Sequence, residues 1–223
     1  MVGFIIGKTK SHTVQLLGRL EIKSPQKISQ FLNSEHVGRI ATIDANGFPQ
    51  IIPMNFVFSN GAIYMHSHTQ GEKIDNIRKN SKVGFEIDRE VEFLPSYFSS
   101  PTDASQADTL YISVVIKGAA SLVEDYEEKA TALNEMMRKY QPEGGYEKIE
   151  SQMSVLDHVA VIKIIPSQMR GKYKIGQHMD KTTRTILAKK ILQRNSPLAK
   201  QAIETMGFEI VDNELKMINE PLW

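Results

Sequence analysis

Cysteine is absent from this chain of 223 residues. That absence excludes disulfides, thiol nucleophiles, cysteine-ligated zinc and iron–sulfur clusters together. Long hydrophobic runs are missing as well: unbroken apolar stretches reach about five residues, against the roughly 20 that a membrane-spanning helix needs. Nor is there an excess of charge of one sign, with 27 Lys and Arg against 26 Asp and Glu. A net charge of +1 leaves no whole-chain footprint for nucleic acid, so any basic patch must be argued locally. Gly-x-Ser-x-Gly, His-Glu-x-x-His and a glycine-rich phosphate loop are all lacking, which leaves hydrolytic catalysis without support. The apolar N-terminus, Met1 to Gly7, has no basic stretch before it and no small-residue cleavage site after it. It is therefore not expected to be a signal peptide; a cytoplasmic location with no membrane partner is the default.

What is present is the composition of an ordinary globular protein, 41% hydrophobic and 24% charged. Ser24 as N-cap, Pro25 at the first position and an apolar face of Ile28, Phe31 and Leu32 predict a helix over 25–34. Strands follow at Val37–Asp44, Phe48–Ser59 and Ala62–His66, the first pair joined at Asp44-Ala45-Asn46-Gly47 and the second at a hairpin turn, Asn60-Gly61. Pro49 and Pro53 put the second strand at an edge or a bulge. Thr69 and Glu72 have capping-box spacing before a short helix carrying Ile74 and Ile77. Further strands are expected at Lys82–Asp88, Thr109–Leu122 and Leu156–Ile165, the last stopped by Pro166. Asp125–Tyr140 reads as an amphipathic helix with Tyr126, Ala130, Leu133, Met137 and Tyr140 on one side. Residues 89–108, with Phe93, Tyr97 and Phe98, read as a long loop: a lid, or a segment anchored by its aromatics. Six strands in meander order with inserted helices specify a mainly β, α+β fold built on a small antiparallel barrel.

The C-terminal part differs in character. Residues 170–200 carry nine Lys and Arg (Arg170, Lys172, Lys174, Lys181, Arg184, Lys189, Lys190, Arg194, Lys200) against one acid, Asp180. Helices are expected at 180–194 and 197–206, the second capped by Ser196, begun by Pro197 and ended by Gly207. Clustered cations can neutralise phosphates, but Lys189-Lys190 between Leu187 and Ile191-Leu192 has the pattern of an outer, solvated face. The expected organisation is an N-terminal extension (1–23), a barrel domain (24–169) and a basic helical extension packed on it (170–223).

Two stretches carry chemistry. His66 and His68, alone among six scattered histidines, are close enough to share one strand face, but no third ligand is near and no metal is expected. From Ile63 to Lys73 a strand ends in hydroxyl-bearing residues and a loop leads into a helix that opens with Gly71 and Lys73. Free backbone N–H groups beside an ammonium suit a phosphate. An ordinary capped helix with a solvated lysine accounts for that stretch equally well.

Arg39-Ile40-Ala41-Thr42, Gly47-x-Pro49, Ile52-Pro53-Met54 and Gly71-x-Lys73-x-x-Asn76-Ile77-x-x-Asn80, in this order over residues 25–166, resemble the FMN-binding split-barrel family of pyridoxamine 5′-phosphate oxidases and nitroimidazole-resistance reductases. The resemblance implies a six-stranded antiparallel split β-barrel of Greek-key type, a homodimer, and FMN in a cleft at the dimer interface. It places Pro53, Met54, Asn55 and Phe56 along the isoalloxazine ring, His66 and Ser67 near the ribityl chain and phosphate, Lys73 on the phosphate and Ser113 against the flavin from the long strand. The oxidases usually have arginine where Pro53 stands, and Glu72 reduces their basic pair beside the phosphate, so the nitroimidazole-reductase branch fits better. A second stretch, Gly171-Lys172-Tyr173-Lys174-Ile175-Gly176-Gln177, is similar to the Gly-Lys-x-Lys-x-x-Gln segment of split-barrel proteins described as protease-production regulators, and adds Lys172, Lys174 and Gln177 to the expected flavin pocket. The function so implied is an oxidoreductase passing electrons from reduced flavin to a small aromatic or nitro-type acceptor; no catalytic residue is named, because the cofactor carries the chemistry. The alternatives are a flavin-binding transcriptional regulator using segment 170–200, or a haem-binding split barrel with His158 or His178 as axial ligand. Nucleic acid is not expected as a partner.

Overall fold

Apolar residues alternating with polar ones set most of the strands, and the sheet they form wraps one apolar core. The computed structural model describes residues 18–212 and 214–218; Met1–Gly7 and the signal-peptide reading lie outside them. In chain order the elements are β1 (Glu21–Ile22), α1 (Pro25–Ser34), β2 (Val37–Ile43), β3 (Pro49–Asn55), β4 (Val57–Ser59), β5 (Ala62–His68), α2 (Glu72–Lys79), β6 (Lys82–Leu94), β7 (Asp108–Leu122), α3 (Tyr126–Tyr140), β8 (Val159–Lys174), α4 (Lys181–Arg194), α5 (Ala199–Thr205) and the hairpin β9 (Phe208–Val211)–β10 (Glu214–Met217). The antiparallel sheet runs β3-β2-β6-β7-β8-β5-β4, with β1 also on β8. Its two ends, β3 and β4, are successive pieces of one run interrupted at Phe56, so the chain itself joins the edges. This is a six-stranded antiparallel split barrel, with one of the six expected strands divided in two.

The interior is filled by Phe31 and Leu32 of α1, Ile40, Phe56, Ile63, Met65, Phe85, Ile87, Ile112, Val114, Ile116, Ile162 and Ile164, all buried. Helix α2 plugs one end through Ile74 and Ile77, and its buried Asn76 donates to Thr42 Oγ1 (3.1 Å) and Gln50 Oε1 (3.4 Å). A second apolar layer lies outside β5 and β8, where Ala130, Leu133 and Met136 of α3 cover Val57, Tyr64 and Val161. Tyr126, expected on that buried face, is exposed and bonds Asp157 instead.

Two strands run further than their apolar alternation suggests, for one reason. In β6 the pairing with β7 shifts between Glu90 and Glu92. The extra residue flips the alternation, so the inward set passes from Val83, Phe85 and Ile87 to Glu92 and Leu94. In β8 the shift falls where Gly118 faces Pro166 and Lys117 faces Gln168. Pro166 therefore does not stop the strand: it sits at a bulge, where a missing N–H costs little. The barrel accordingly extends to Lys174, past the expected boundary at residue 169, and only residues 95–107 remain a loop.

Glu92 is 2% exposed. It accepts from Arg194 Nη1 at 2.8 Å and from Ser196 Oγ. Ser196, expected to cap the last helix, serves this carboxylate instead, and α5 begins at Ala199 without a side-chain cap. Lys190, expected on an outer face, is half-buried and donates to the Phe98 carbonyl, which fastens the 95–107 loop to α4.

Candidate functional site

Among the described residues β3 is an edge, so one row of its backbone groups has no strand partner there, and Pro49 and Pro53 sit in it without breaking a central ladder. Side chains alternate: Pro53 and Asn55 face outward, while Met54 packs on the core and Phe56 is fully buried. Both backbone groups of Phe56 are engaged by α3, its N–H donating to Tyr140 Oη at 2.8 Å and its carbonyl accepting from Lys139 Nζ at 3.0 Å. Of the four expected ring-contacting residues, Pro53 and Asn55 thus present outward surface, and Phe56 fixes where the segment ends.

Beside the start of β3 lies the N-terminus of α2, tied to it by Gln50 donating to Glu72. The expected capping box at Thr69 does not form; the N-cap is Gly71, at φ 130°, and no side chain caps the first turn. Only glycine takes that backbone readily. Its consequence is an uncapped helix start with Lys73, half-buried, as second residue. His66 is exposed at the end of β5, and Ser67 Oγ donates to the His68 carbonyl at 2.8 Å. Among the described residues no group of His, Asp and Glu is arranged to hold a metal.

The remaining candidates lie elsewhere on the barrel. Ser113 of β7 pairs with Lys172 of β8. Lys172 Nζ lies 5.0 Å from the centre of the Tyr111 ring, and Lys174 is bonded to Asp108. Gln177 closes the turn after β8: its Oε1 accepts from the Ile175 N–H and its Nε2 donates to the carbonyls of Arg19 and Tyr173, all at 3.0 Å. Its amide fastens the chain rather than standing free. Along the crosswise row Pro53–Arg39–Glu86–Val115–Arg170, β7 lies three strands from β3. At about 4.8 Å per strand, β7 lies roughly 14 Å from β3 measured along the curved sheet, and β8 one strand further. The outer face between them carries exposed Val37, Ile51 and Val115, and Arg39 held between Glu86 and Asp88. Burial, followed by the Asp88 charge, raises the Glu86 pKa.

The basic segment is largely engaged within the fold. Arg170 faces Glu21 at 3.9 Å, Lys174 meets Asp108, Arg194 meets Glu92, Lys190 holds Phe98, and Arg184 is 2% exposed. Sequence reading missed Lys139 and Tyr140 as site-shaping groups, because a Lys-Tyr pair at the end of an amphipathic helix has no pattern of its own. His178 follows the same turn as Gln177, and burial lowers its pKa.

A six-strand antiparallel sheet wrapped round one core, with its edge strand left open, defines a split-barrel protein. The chain belongs to the pyridoxamine 5′-phosphate oxidase family, whose model matches residues 24–173. Among solved structures, it is similar to a "putative 5-nitroimidazole antibiotic resistance protein" of Bacteroides thetaiotaomicron VPI-5482, with 25% identity over 69% of this chain and 86% of that one and a TM-score of 0.58. The fold is shared with the flavocytochrome Anf3 of Azotobacter vinelandii, at 17% identity over 70% of this chain and 69% of that one, TM-score 0.60. It is shared also with an FAD and heme binding protein of Mycobacterium smegmatis, at 14% identity over 69% of this chain and 73% of that one, TM-score 0.58. No curated protein matches the chain.

Proposed function

We propose that this chain is an FMN-binding oxidoreductase that works as a homodimer. The observation that carries the reading is the juxtaposition, within one chain, of an uncapped helix start bearing Lys73 and the open edge of β3. Lys73 and the first-turn N–H groups would hold the phosphate; His66 and Ser67 would flank the ribityl chain; Pro53 and Asn55 would lie along the ring, with Met54 and Phe56 anchoring their strand from beneath. Ser113, Lys172 and Lys174 lie too far across the sheet to reach the same flavin in one subunit. A second copy, packed through the outer face that carries Val37, Ile51 and Val115 around the Arg39–Glu86–Asp88 cluster, would bring its own set to the first copy's β3. The family membership and the flavin- and FAD-binding relatives support the cofactor class. FMN rather than FAD is favoured because one uncapped helix start beside one lysine suits a single phosphate.

The flavin, once bound, supplies the electron-transfer chemistry. The protein's task is to fix the ring and shape the space above it for a small aromatic or nitro-type acceptor. Phe93 and Tyr97 are exposed and available to stack on an acceptor, whereas Phe98 is buried and anchors its loop. The regulator reading finds little free charge, since most cations of 170–200 already have partners.

Purified protein is expected to show absorption bands near about 370 and 450 nm. Lys73→Ala is expected to weaken FMN roughly tenfold or more and riboflavin hardly at all, because a charge-assisted hydrogen bond contributes about 1.5–3 kcal/mol. A Soret band, or equal losses for both ligands, would contradict the reading.

A further inference from the structure

The β2–β3 hairpin, residues 37–55, carries the outer face and the open edge, and its hold on the barrel is thin. Among the described residues only Arg39, Ile40 and Ala41 pair with β6, and no strand lies on the far side of β3. The chain enters the hairpin at His36 and leaves it at Phe56. Both junctions, with the end of α1, converge on two successive residues at the C-terminal end of α3.

Lys139 Nζ donates to the carbonyls of Leu32 and Phe56, each at 3.0 Å, and lies 3.9 Å from the centre of the Phe56 ring. Tyr140 Oη accepts the Phe56 N–H at 2.8 Å and aims its proton at the carbonyls of His36 and of Phe56, the latter 3.0 Å away. These contacts satisfy the backbone at the break between β3 and β4, where no ladder bond is available. A helix end that needed only apolar cover would not require a half-buried ammonium there.

We propose that Lys139 and Tyr140 are a positioning pair, a latch that fixes both roots of the β2–β3 hairpin and so sets the line of its open edge. The latch is independent of any ligand; its effect on FMN rests on the flavin reading.

The surroundings of Lys139 give the latch a pH signature. Burial pulls its pKa down to about 8, with Glu35 opposing the shift. Glu35 is itself paired with Arg89, whose guanidinium lies over Phe31, and the His36 ring packs 5.2 Å from that of Tyr140. Burial raises the Tyr140 hydroxyl, which therefore keeps its proton through this range. When the latch opens and Lys139 reaches water, its pKa returns toward the ordinary 10.5. The latched form thus binds fewer protons than the open form between these values, and rising pH favours it by up to about tenfold per unit; below about pH 8 both forms are charged and the ratio is flat.

The test is amide exchange by mass spectrometry on the full chain without ligand, corrected for the intrinsic pH dependence of exchange, alongside FMN titrations. Tyr140→Phe is expected to speed exchange of peptides in 36–56 about tenfold while leaving β7 and β8 unchanged. In the parent protein the opening constant of 36–56 should fall between pH 8 and 10, and in Lys139→Met it should be flat. FMN should bind Tyr140→Phe several-fold more weakly. Unchanged exchange at 36–56, acceleration spread evenly over the barrel, or the same pH slope in Lys139→Met would overturn the latch. The predicted exchange pattern in a protein that takes up no FMN at all would uphold the latch and reject the flavin reading.

Discussion

Replacing Arg194 by alanine should cost this protein about 3 kcal/mol of stability, although the residue lies in the C-terminal unit, far along the chain from the strand it holds. Its partner, Glu92, is 2% exposed, with one oxygen held by Arg194 Nη1 at 2.8 Å and the other by Ser196. Arg194 also donates to the Phe93 carbonyl at 2.6 Å. Removing one member of a buried ion pair typically costs about 3–5 kcal/mol, because the remaining charge is left in a poorly solvating site. The Arg194 side chain is 31% exposed, so water will enter beside Glu92 and the lower end applies. For a chain of this size each kcal/mol moves Tm by about 2–4 °C. The expected fall is therefore roughly 6–12 °C by calorimetry, with a matching drop in urea midpoint at unchanged slope. The origin of the loss is checked by the double variant with Glu92→Gln, which removes the stranded charge and should recover a large part of it. A loss below about 1 kcal/mol, or a double variant no better than Arg194→Ala alone, would refute the reasoning.

Other outcomes follow from equally local features. Gly118→Ala would place its Cβ 2.5 Å from the Ile165 carbonyl oxygen; since that contact is backbone at the β8 bulge, a loss of about 1–3 kcal/mol or more is expected in chemical denaturation. Lys190→Gln should speed proteolysis within 95–107 by freeing the Phe98 carbonyl, whereas Lys189→Gln, on an exposed side chain, should leave both proteolysis and flavin content as they are. Light scattering at micromolar concentration should give twice 25.2 kDa; a monodisperse monomer with FMN bound would count against a site completed by a second copy.

Much of the fold was legible where a local rule has one physical solution. Asn60 and Gly61 both take left-handed backbone, at φ 51° and 76°, as a two-residue hairpin turn requires. Ser24 caps its helix through the side chain as its position before Pro25 predicts, and Asp125 and Asp180, at the starts of two expected helices, do the same. Pro49 and Pro53 correctly announced an edge. What failed to show was non-local. A bulge is invisible to a period-two pattern except as its breakdown, which is why β6 and β8 were read short. Thr69 and Ser196 have the chemistry of caps, but Gly71 and Glu92, respectively, determine what happens there. For the site, the loop-to-helix step carrying Gly71 and Lys73 was legible, but its uncapped start was not, because Thr69 and Glu72 promise a capping box that Gly71 displaces; the distance along the sheet between β3 and the Ser113–Lys172 pair depends on strand order, which no motif encodes.

The threefold pairing of β8, with β1, β5 and β7, has a consequence for how the chain reaches this state. Ile63 pairs with Ile164, about a hundred residues later, and Glu21 with Lys172, farther still. Until the chain beyond residue 159 is available, β5 and β7 each face water along one side and the ring cannot close. Such contacts are made only after a large loop-closure cost, so folding in the range of milliseconds to seconds is expected, with β8 arriving late. During synthesis the half-made barrel would expose two unpaired edges, β5 with Ile63 and Met65 and β7 with Ile112, Val114, Val115 and Ile116. A nascent chain halted before β8 should therefore be held by chaperones or aggregate, and release through residue 174 should restore solubility.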